Sequence, residues 1–309
     1  MVRFVRIRRS AGLIPGTDDL DPAEFDVKSL AHLARNASTA LRDPEILQRW
    51  IRYQWAARTG HEPALRIGAG IFRGFPHFNA YLGAWKYRPD DAERHFLACS
   101  LRGAKTVLDV GANFGVLTAL MCELAPDAQV YAFEPHPQTF AALQRNTGSN
   151  ALAARVHCVQ GAVGASVGTT AFLDTGAPAT NRIVSGGDHT FQVALTTVDV
   201  FCQEHRLSSV DFLKIDVEGA ERNVLAGAAG MFGRRLIRCG MIEICPGNLK
   251  QFGKKVDDLH AFFATYGYEL FWFGADGGPI GAVPLDLPES FLGNAGFRPA
   301  QPESCETSS

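Results

Sequence analysis

Three groups of residues in this chain have types and spacing suited to chemistry. The first is a glycine turn, Gly111-Ala112-Asn113-Phe114-Gly115, which ends the apolar run Thr106–Val110 and opens a helix-period segment. The second is Glu134, 19 positions after Gly115, which closes the apolar run Val130–Phe133 and is followed by Pro135. The third is a set of acids on two later runs: Asp216 and Glu218 behind Asp211-Phe212-Leu213-Lys214-Ile215, and Glu243 within Leu236–Ile244. Glycines at a strand-to-helix turn let a ligand lie against the backbone and the helix N-terminus behind it. A carboxylate about 20 residues further on reaches the two ribose hydroxyls of a bound nucleoside. The unit therefore reads as a nucleoside-cofactor site. A dinucleotide turn wants G-x-G-x-x-G, whereas here Asn113 holds the middle position and Thr118 the last. Asp109, two residues ahead of the first glycine, is instead where S-adenosylmethionine enzymes place an acid near the cofactor's methionyl amino group, which favours a methyl donor over a nicotinamide.

These residues need elements to hold them. The runs at 106–110, 130–133, 155–159, 210–215 and 236–244 alternate with helix-period segments at 138–150, 197–207 and 254–266, so a doubly wound parallel sheet is expected. Closing strands are expected at 268–273 and 279–285. In such a sheet ligands bind at the C-terminal ends of the strands, which brings Asp216, Glu218 and Glu243 to the same crevice as Gly111 and Glu134. Asp216 could orient the donor methyl or the acceptor, take a proton from an acceptor hydroxyl, or share a divalent ion such as Mg²⁺ with Glu243. Against these roles stands a cap on the helix starting at Gly219-Ala220-Glu221, because a carboxylate stabilises a helix N-terminus. Glu221 reads as a first-turn helix acid, and Lys214 receives no role. His136 shapes the turn after Glu134. His77 and His189 lie in two segments that could cover the site, and no histidine spacing supports zinc.

Ahead of the sheet, Pro22–Ala40 reads as a helix. Asp43-Pro44 then caps a second helix with Ile46, Leu47, Trp50, Ile51 and Trp55 on one face, expected to pack on the main domain. Leu65–Tyr87, with its many glycines and aromatics, reads as short strands and turns. Asp90 with Glu93 opens a helix as a capping box. Between the alternating segments 167–173 and 190–195 lies a Gly/Ala/Pro/Ser-rich separator, 174–189, read as a mobile loop or a lid. The expected organisation is a helical extension over 1–62, pre-domain strands and a capping helix over 63–104, the cofactor domain over 105–290, and a flexible tail over 291–309.

Four motifs taken in order, DVGANFG (109–115), FEPHP (133–137), VDFLKIDVEGAE (210–221) and IEICP (242–246), resemble those of the FkbM-family methyltransferases. The resemblance runs from about Leu65 to Phe273, and KIDVEGAE is its most specific piece because Rossmann-like dehydrogenases lack it. It implies a class I, Rossmann-like fold and S-adenosylmethionine as cofactor. It also implies transfer of a methyl group to a hydroxyl of a small-molecule or glycan acceptor. By resemblance alone, Ala162 lies beside the adenine. The rivals are an NAD(P)-dependent oxidoreductase and a degenerate nucleoside-binding protein.

Composition narrows the field. Thirty Lys+Arg against 32 Asp+Glu leave a net charge of -2, so no global basic field argues for nucleic acid. Seven scattered cysteines without a C-x-x-C pair read as reduced thiols of a cytoplasmic protein. No apolar stretch has the length of a membrane span, and the arginine-rich start lacks the apolar core of a secretory signal. It reads instead as an edge strand, a basic arm or a membrane-surface contact. Homo-oligomer formation is left open by the sequence.

Overall fold

The computed structural model of the chain describes residues 44–67, 70–76, 78–86, 91–173, 182–184 and 190–300. Two compact units divide at Ile51/Arg52. Within the described part, α1 (Pro44–Arg58) is followed by a hairpin of β1 (Leu65–Ile67) and β2 (Gly70–Phe72), then α2 (Phe78–Lys86) and α3 (Asp91–Ser100). Next come β3 (Thr106–Val110), α4 (Val116–Leu124), β4 (Gln129–Phe133), α5 (Pro137–Ser149) and β5 (Val156–Val159). A four-stranded sheet is built from β6 (Ala162–Val163), β7 (Gly168–Leu173), β8 (Arg182–Val184) and β9 (Thr190–Thr196), in the order β6-β9-β7-β8. The chain continues through α6 (Val198–Glu204), β10 (Phe212–Ile215), α7 (Glu221–Ala226), α8 (Ala229–Gly233), β11 (Gly240–Ile244), α9 (Pro246–Gln251) and α10 (Val256–Thr265). It ends with β12 (Tyr268–Phe273), β13 (Pro279–Ala282) and β14 (Gly293–Pro299).

The central sheet has the order β13-β12-β14-β11-β10-β3-β4-β5. Strands β11, β10, β3, β4 and β5 run parallel, while β14 is antiparallel to both of its neighbours. This is the expected doubly wound α/β architecture. Strand alternation explains why it has helices on both faces. Val107, Val130, Phe212 and Met241 enter one core, and Leu108, Val110, Phe133, Leu213 and Ile215 enter the other. The chain leaves β3 toward β4 on one side and returns as β10 on the other, so the crevice of an open α/β sheet falls at the C-terminal ends of these strands.

Several expectations need correction. Residues 78–86 form a helix, not strands and turns: Tyr81 and Trp85, one turn apart, are both buried beside Ala80, and a side chain at Gly83 would meet nothing. The tail expected from 291 is a strand through Pro299. Its glycines are packing residues, since a Cβ at Gly296 would press on the rings of Phe271 and Phe96 at 2.8 Å, and Ala295 and Phe297 are fully buried. The 174–189 separator contains β8, paired with β7, and its other residues lie outside the described ones. Pro44 does begin α1, but Trp55 is 47% exposed and stacks on His61 instead of joining a buried face. The expectations for the arginine-rich start, the 22–40 helix, His77, His189 and Asp90 fall outside the described residues. Among the described residues no helix is long and apolar enough to cross a membrane.

Candidate active site

The turn after β3 is tied to its neighbours before any ligand is considered. The amides of Gly111 and Ala112 both donate to the Phe133 carbonyl, at 3.1 and 2.8 Å, and the amide of Asp216 donates to the Val110 carbonyl at 3.0 Å. Gly111 has φ 83°, and a Cβ there would overlap the backbone oxygen of Asp216. The glycine is thus demanded by the approach of β10, not by space for a ligand, which corrects the reason inferred from the sequence. Gly115 (φ 84°) would put a Cβ 2.7 Å from Leu143 Cδ1 on α5. Asn113 adopts a left-handed φ of 52°, and its Oδ1 is buried without a hydrogen-bond partner.

Glu134 is not an exposed strand tip. It is 7% exposed, with Oε2 accepting from the Asn113 amide at 3.0 Å and Oε1 from the His136 amide at 2.9 Å. Burial pushes its carboxyl up to about 7 despite those two bonds and the nearby Lys214 ammonium. A carboxylate offers about four lone-pair sites, so capacity for two further donors remains on a group that lines a cavity.

Asp109 is fully buried beneath the turn. Its Oδ2 accepts from Thr118 Oγ1 at 2.6 Å, its Oδ1 lies 3.3 Å from Lys214 Nζ, and it does not line the cavity. The direct cofactor contact expected of it is therefore not where its side chain sits. Lys214, which received no role from the sequence, is the hub of this region. In register with Asp109 on the neighbouring strand, its Nζ donates to the Gly111 carbonyl at 2.6 Å and lies 3.5 Å from Asp216 Oδ2. Burial by itself would lower the lysine's affinity for its proton. The Asp109 and Asp216 carboxylates outweigh that and hold it above its ordinary range. A lysine flanked by apolar residues on a central strand must be buried and therefore paired, and that signal was present in Leu213-Lys214-Ile215.

The later acids converge as expected. Asp216, Glu218 and Glu243 line the same cavity as Gly111, Ala112, Asn113, Phe114, Glu134, Pro135 and Ala162, a space of about 630 Å³. Gly115, the last predicted member of the turn, is not part of the lining. Glu218 has a left-handed φ of 55° and accepts from Asn248 Nδ2 at 2.9 Å. Glu221 is a first-turn helix acid as read: its Oε1 accepts from the amides of Val217 and Gly219. The N-terminus of α7 carries no side-chain cap, so the capping role considered for Asp216 is not the one its side chain takes; it lines the cavity. Glu243 is 5% exposed with Oε2 lacking a partner. Burial first, then the carboxylates of Asp216, Glu218 and Glu221, hold it well above the ordinary range.

Sequence reasoning missed three supports. Asn146 on α5 and Asn150 at its C-cap bond the backbone of Arg73, just past β2, and of Ile71 within it, each in both directions, and Asn146 also donates to the Phe114 carbonyl. Ala80, Gly83 and Ala84 of α2 form one wall of the cavity. Asn248 holds Glu218. None carries a local sequence signature, because each works through a contact distant along the chain.

The arrangement can hold a nucleoside against Glu134 and the turn, and a second molecule against the acids of β10 and β11. Among the described residues no group of three or more His, Cys, Asp or Glu could hold a metal ion. The family described as Methyltransferase FkbM domain matches residues 109–270. A 142-residue stretch is 32% identical to Methyltransferase 1 of Beauveria bassiana (strain ARSEF 2860), covering 39% of this chain and 57% of that protein. Another of 186 residues is 30% identical to the 31-O-demethyl-FK506 methyltransferase FkbM of Streptomyces tacrolimicus, covering 49% and 70%. A third, of 139 residues, is 28% identical to the 2-O-methyltransferase NoeI of Sinorhizobium fredii (strain NBRC 101917 / NGR234), covering 39% and 56%. The matched region thus spans little more than half the length of the first and third relatives.

Proposed function

The chain belongs to the FkbM methyltransferase family, and from that premise we propose that it transfers a methyl group from S-adenosylmethionine to a hydroxyl oxygen of a small-molecule or glycan acceptor. The observation that carries the reading is the single cavity at the strand ends, walled by Glu134 and the glycine turn on one side and by Asp216, Glu218 and Glu243 on the other. The cofactor residues fit: Glu134 keeps acceptor capacity beside two backbone amides, and Asn113 Oδ1 is a buried acceptor still lacking a donor. Glu134 would take the ribose hydroxyls, Ala112 to Phe114 would carry the methionyl portion, and Pro135 and Ala162 would flank the base.

When bound, S-adenosylmethionine supplies an activated, electrophilic methyl group on a sulfonium. What remains for the chain is placement and proton removal in a space shielded from water. Asp216, whose carboxylate is held by Lys214 at 3.5 Å, is positioned to accept the proton of the acceptor hydroxyl. Glu218 and Glu243 orient the acceptor. Two carboxylates, Asp216 and Glu243, are available to Mg²⁺, but no described group completes a donor set around them, so the proton is assigned to Asp216 and no step to a metal. The relatives named for 31-O-demethyl-FK506 and for 2-O-methyl transfer support oxygen as the methylated atom. We place the reaction in the cytoplasm, in keeping with the free thiols of the described cysteines. Transfer of labelled methyl from S-adenosylmethionine to a panel of hydroxylated compounds, followed by mass spectrometry, tests the reading. Methyl ethers are expected, and methylation only at carbon or nitrogen would overturn it.

A further inference from the structure

The cavity has two chemically different ends. Glu134 lies at the tip of β4, whereas Glu243 is on β11, two strands beyond β3 in the opposite direction. At about 4.8 Å per strand, Glu243 is roughly 10 Å across the sheet from β3 and roughly 14 Å from β4. The nucleoside end and the β10–β11 end are thus separate subsites.

Three carboxylates, Asp216, Glu218 and Glu243, line the β10–β11 end. Glu243 is 5% exposed, lines the cavity, and presents a buried Oε2 with no hydrogen-bond partner. A buried acceptor left this way is costly unless a ligand supplies its donor. Asp216 and Glu218 line the same end, the latter aimed by a left-handed backbone. Asn248 Nδ2, which also lines the cavity, gives one N–H to Glu218. Among the described lining residues Lys214 is the sole cation, and it is engaged by the Gly111 carbonyl, Asp109 and Asp216. Ala80, Gly83 and Ala84 on α2 add no charge to the lining. Mutual repulsion of the carboxylates, which helps to hold Glu243 above its ordinary range, would be relieved by a positive charge among them.

We propose that this end is a cation subsite for the acceptor: Glu243, with Asp216 and Glu218, receives a protonated amine carried next to the hydroxyl that is methylated, so the acceptor is a 1,2-amino alcohol. The inference rests on the methyl-transfer reading. A neutral vicinal diol satisfies the hydrogen bonds but not the charge, and an acceptor bearing a carboxylate or phosphate there is repelled.

The test uses the full chain saturated with S-adenosylhomocysteine, which fills the cofactor end together with its own ammonium. Calorimetric titration with trans-2-aminocyclohexanol, trans-cyclohexane-1,2-diol and 2-hydroxycyclohexanecarboxylate then reads the second subsite. The amino alcohol is expected to bind about tenfold or more tightly than the diol, the step of one desolvated charge contact, and the carboxylate is expected to give no heat. Glu243→Gln is expected to bring the amino alcohol down to the level of the diol. Equal binding of amine and diol by the wild-type chain, binding of the carboxylate, or an undiminished amine preference in Glu243→Gln overturns the inference. If S-adenosylhomocysteine binds and the amine preference is missing, only this inference falls; if S-adenosylhomocysteine itself does not bind, the methyl-transfer reading falls with it.

Discussion

Replacing Glu134 by glutamine separates the charge of this residue from its shape. The wild-type carboxylate accepts from the amides of Asn113 and His136 and, in the proposed complex, from two ribose hydroxyls. Glutamine has one acceptor oxygen, so one backbone amide faces an NH₂ group. The loss of that bond costs about 1–3 kcal/mol, offset in part because a buried charge is no longer carried. The affinity change is larger: hydrogen bonds to a charged group are each worth about 1.5–3 kcal/mol, and with one neutral bond retained the expected loss is about 2–3 kcal/mol, a factor of roughly 30 to 150 in Kd. The pH dependence is more specific still. Burial raises the carboxyl from 4.5 to about 7, so below about 7 the free protein holds a proton that must leave before the ribose is bound. Wild-type affinity for S-adenosylmethionine should therefore be flat above about 7 and fall by up to tenfold per unit below it, whereas Glu134→Gln should show no such limb. The same shift has the opposite sign for stability. Between 4.5 and about 7 the folded state binds a proton that the unfolded state has lost, so this group's stabilising contribution is complete below 4.5 and disappears as pH rises through about 7. Calorimetry from pH 5.5 to 7.5 on both proteins measures the first effect, and urea unfolding the second. A variant that binds like wild type, or that keeps the acid limb, would refute the assignment of Glu134 to the ribose.

Gly111→Ala should lose about 2 kcal/mol or more in urea unfolding, from the positive φ and the overlap with the Asp216 carbonyl; an unchanged midpoint would show that β10 does not dictate this glycine. Lys214→Met strands a fully buried Asp109 and should cost about 3–5 kcal/mol, so a loss below about 1 kcal/mol would remove the lysine from its place as hub. Asp216→Asn should lower kcat by about 10²-fold while shifting stability by less than about 1 kcal/mol, because asparagine keeps the shape and Lys214 keeps Asp109 and the Gly111 carbonyl; wild-type turnover in this variant would take Asp216 out of the mechanism.

Sequence and structure agree where the information is local. The glycine turn, Glu134 and the strand-tip acids could be placed from short-range patterns, because strand alternation and the strand-end rule specify which crevice they share. For Lys214 the run Leu213-Lys214-Ile215 signals burial and pairing but not the partner, since its facing Asp109 across β3 and β10 is a register no local pattern encodes. Asp109 was misplaced for the same reason: its position before the glycines was legible, but not that Thr118 and Lys214 would bury it. The glycines of β14 looked like those of a tail because the rings that require them, Phe96 and Phe271, are far away in sequence. Helix α2 was hidden by Gly83, whose cost of about 1 kcal/mol in a helix is outweighed by burial of Tyr81 and Trp85.

The central claim is that this cavity binds S-adenosylmethionine against Glu134. Parallel calorimetric titrations of the 309-residue chain with S-adenosylmethionine and with NADH, repeated on Glu134→Gln, address it most directly. One site for S-adenosylmethionine is expected, weakened roughly 30-fold or more in the variant, with no heat from NADH. Saturable NADH binding that Glu134→Gln abolishes, with no response to S-adenosylmethionine, would contradict it.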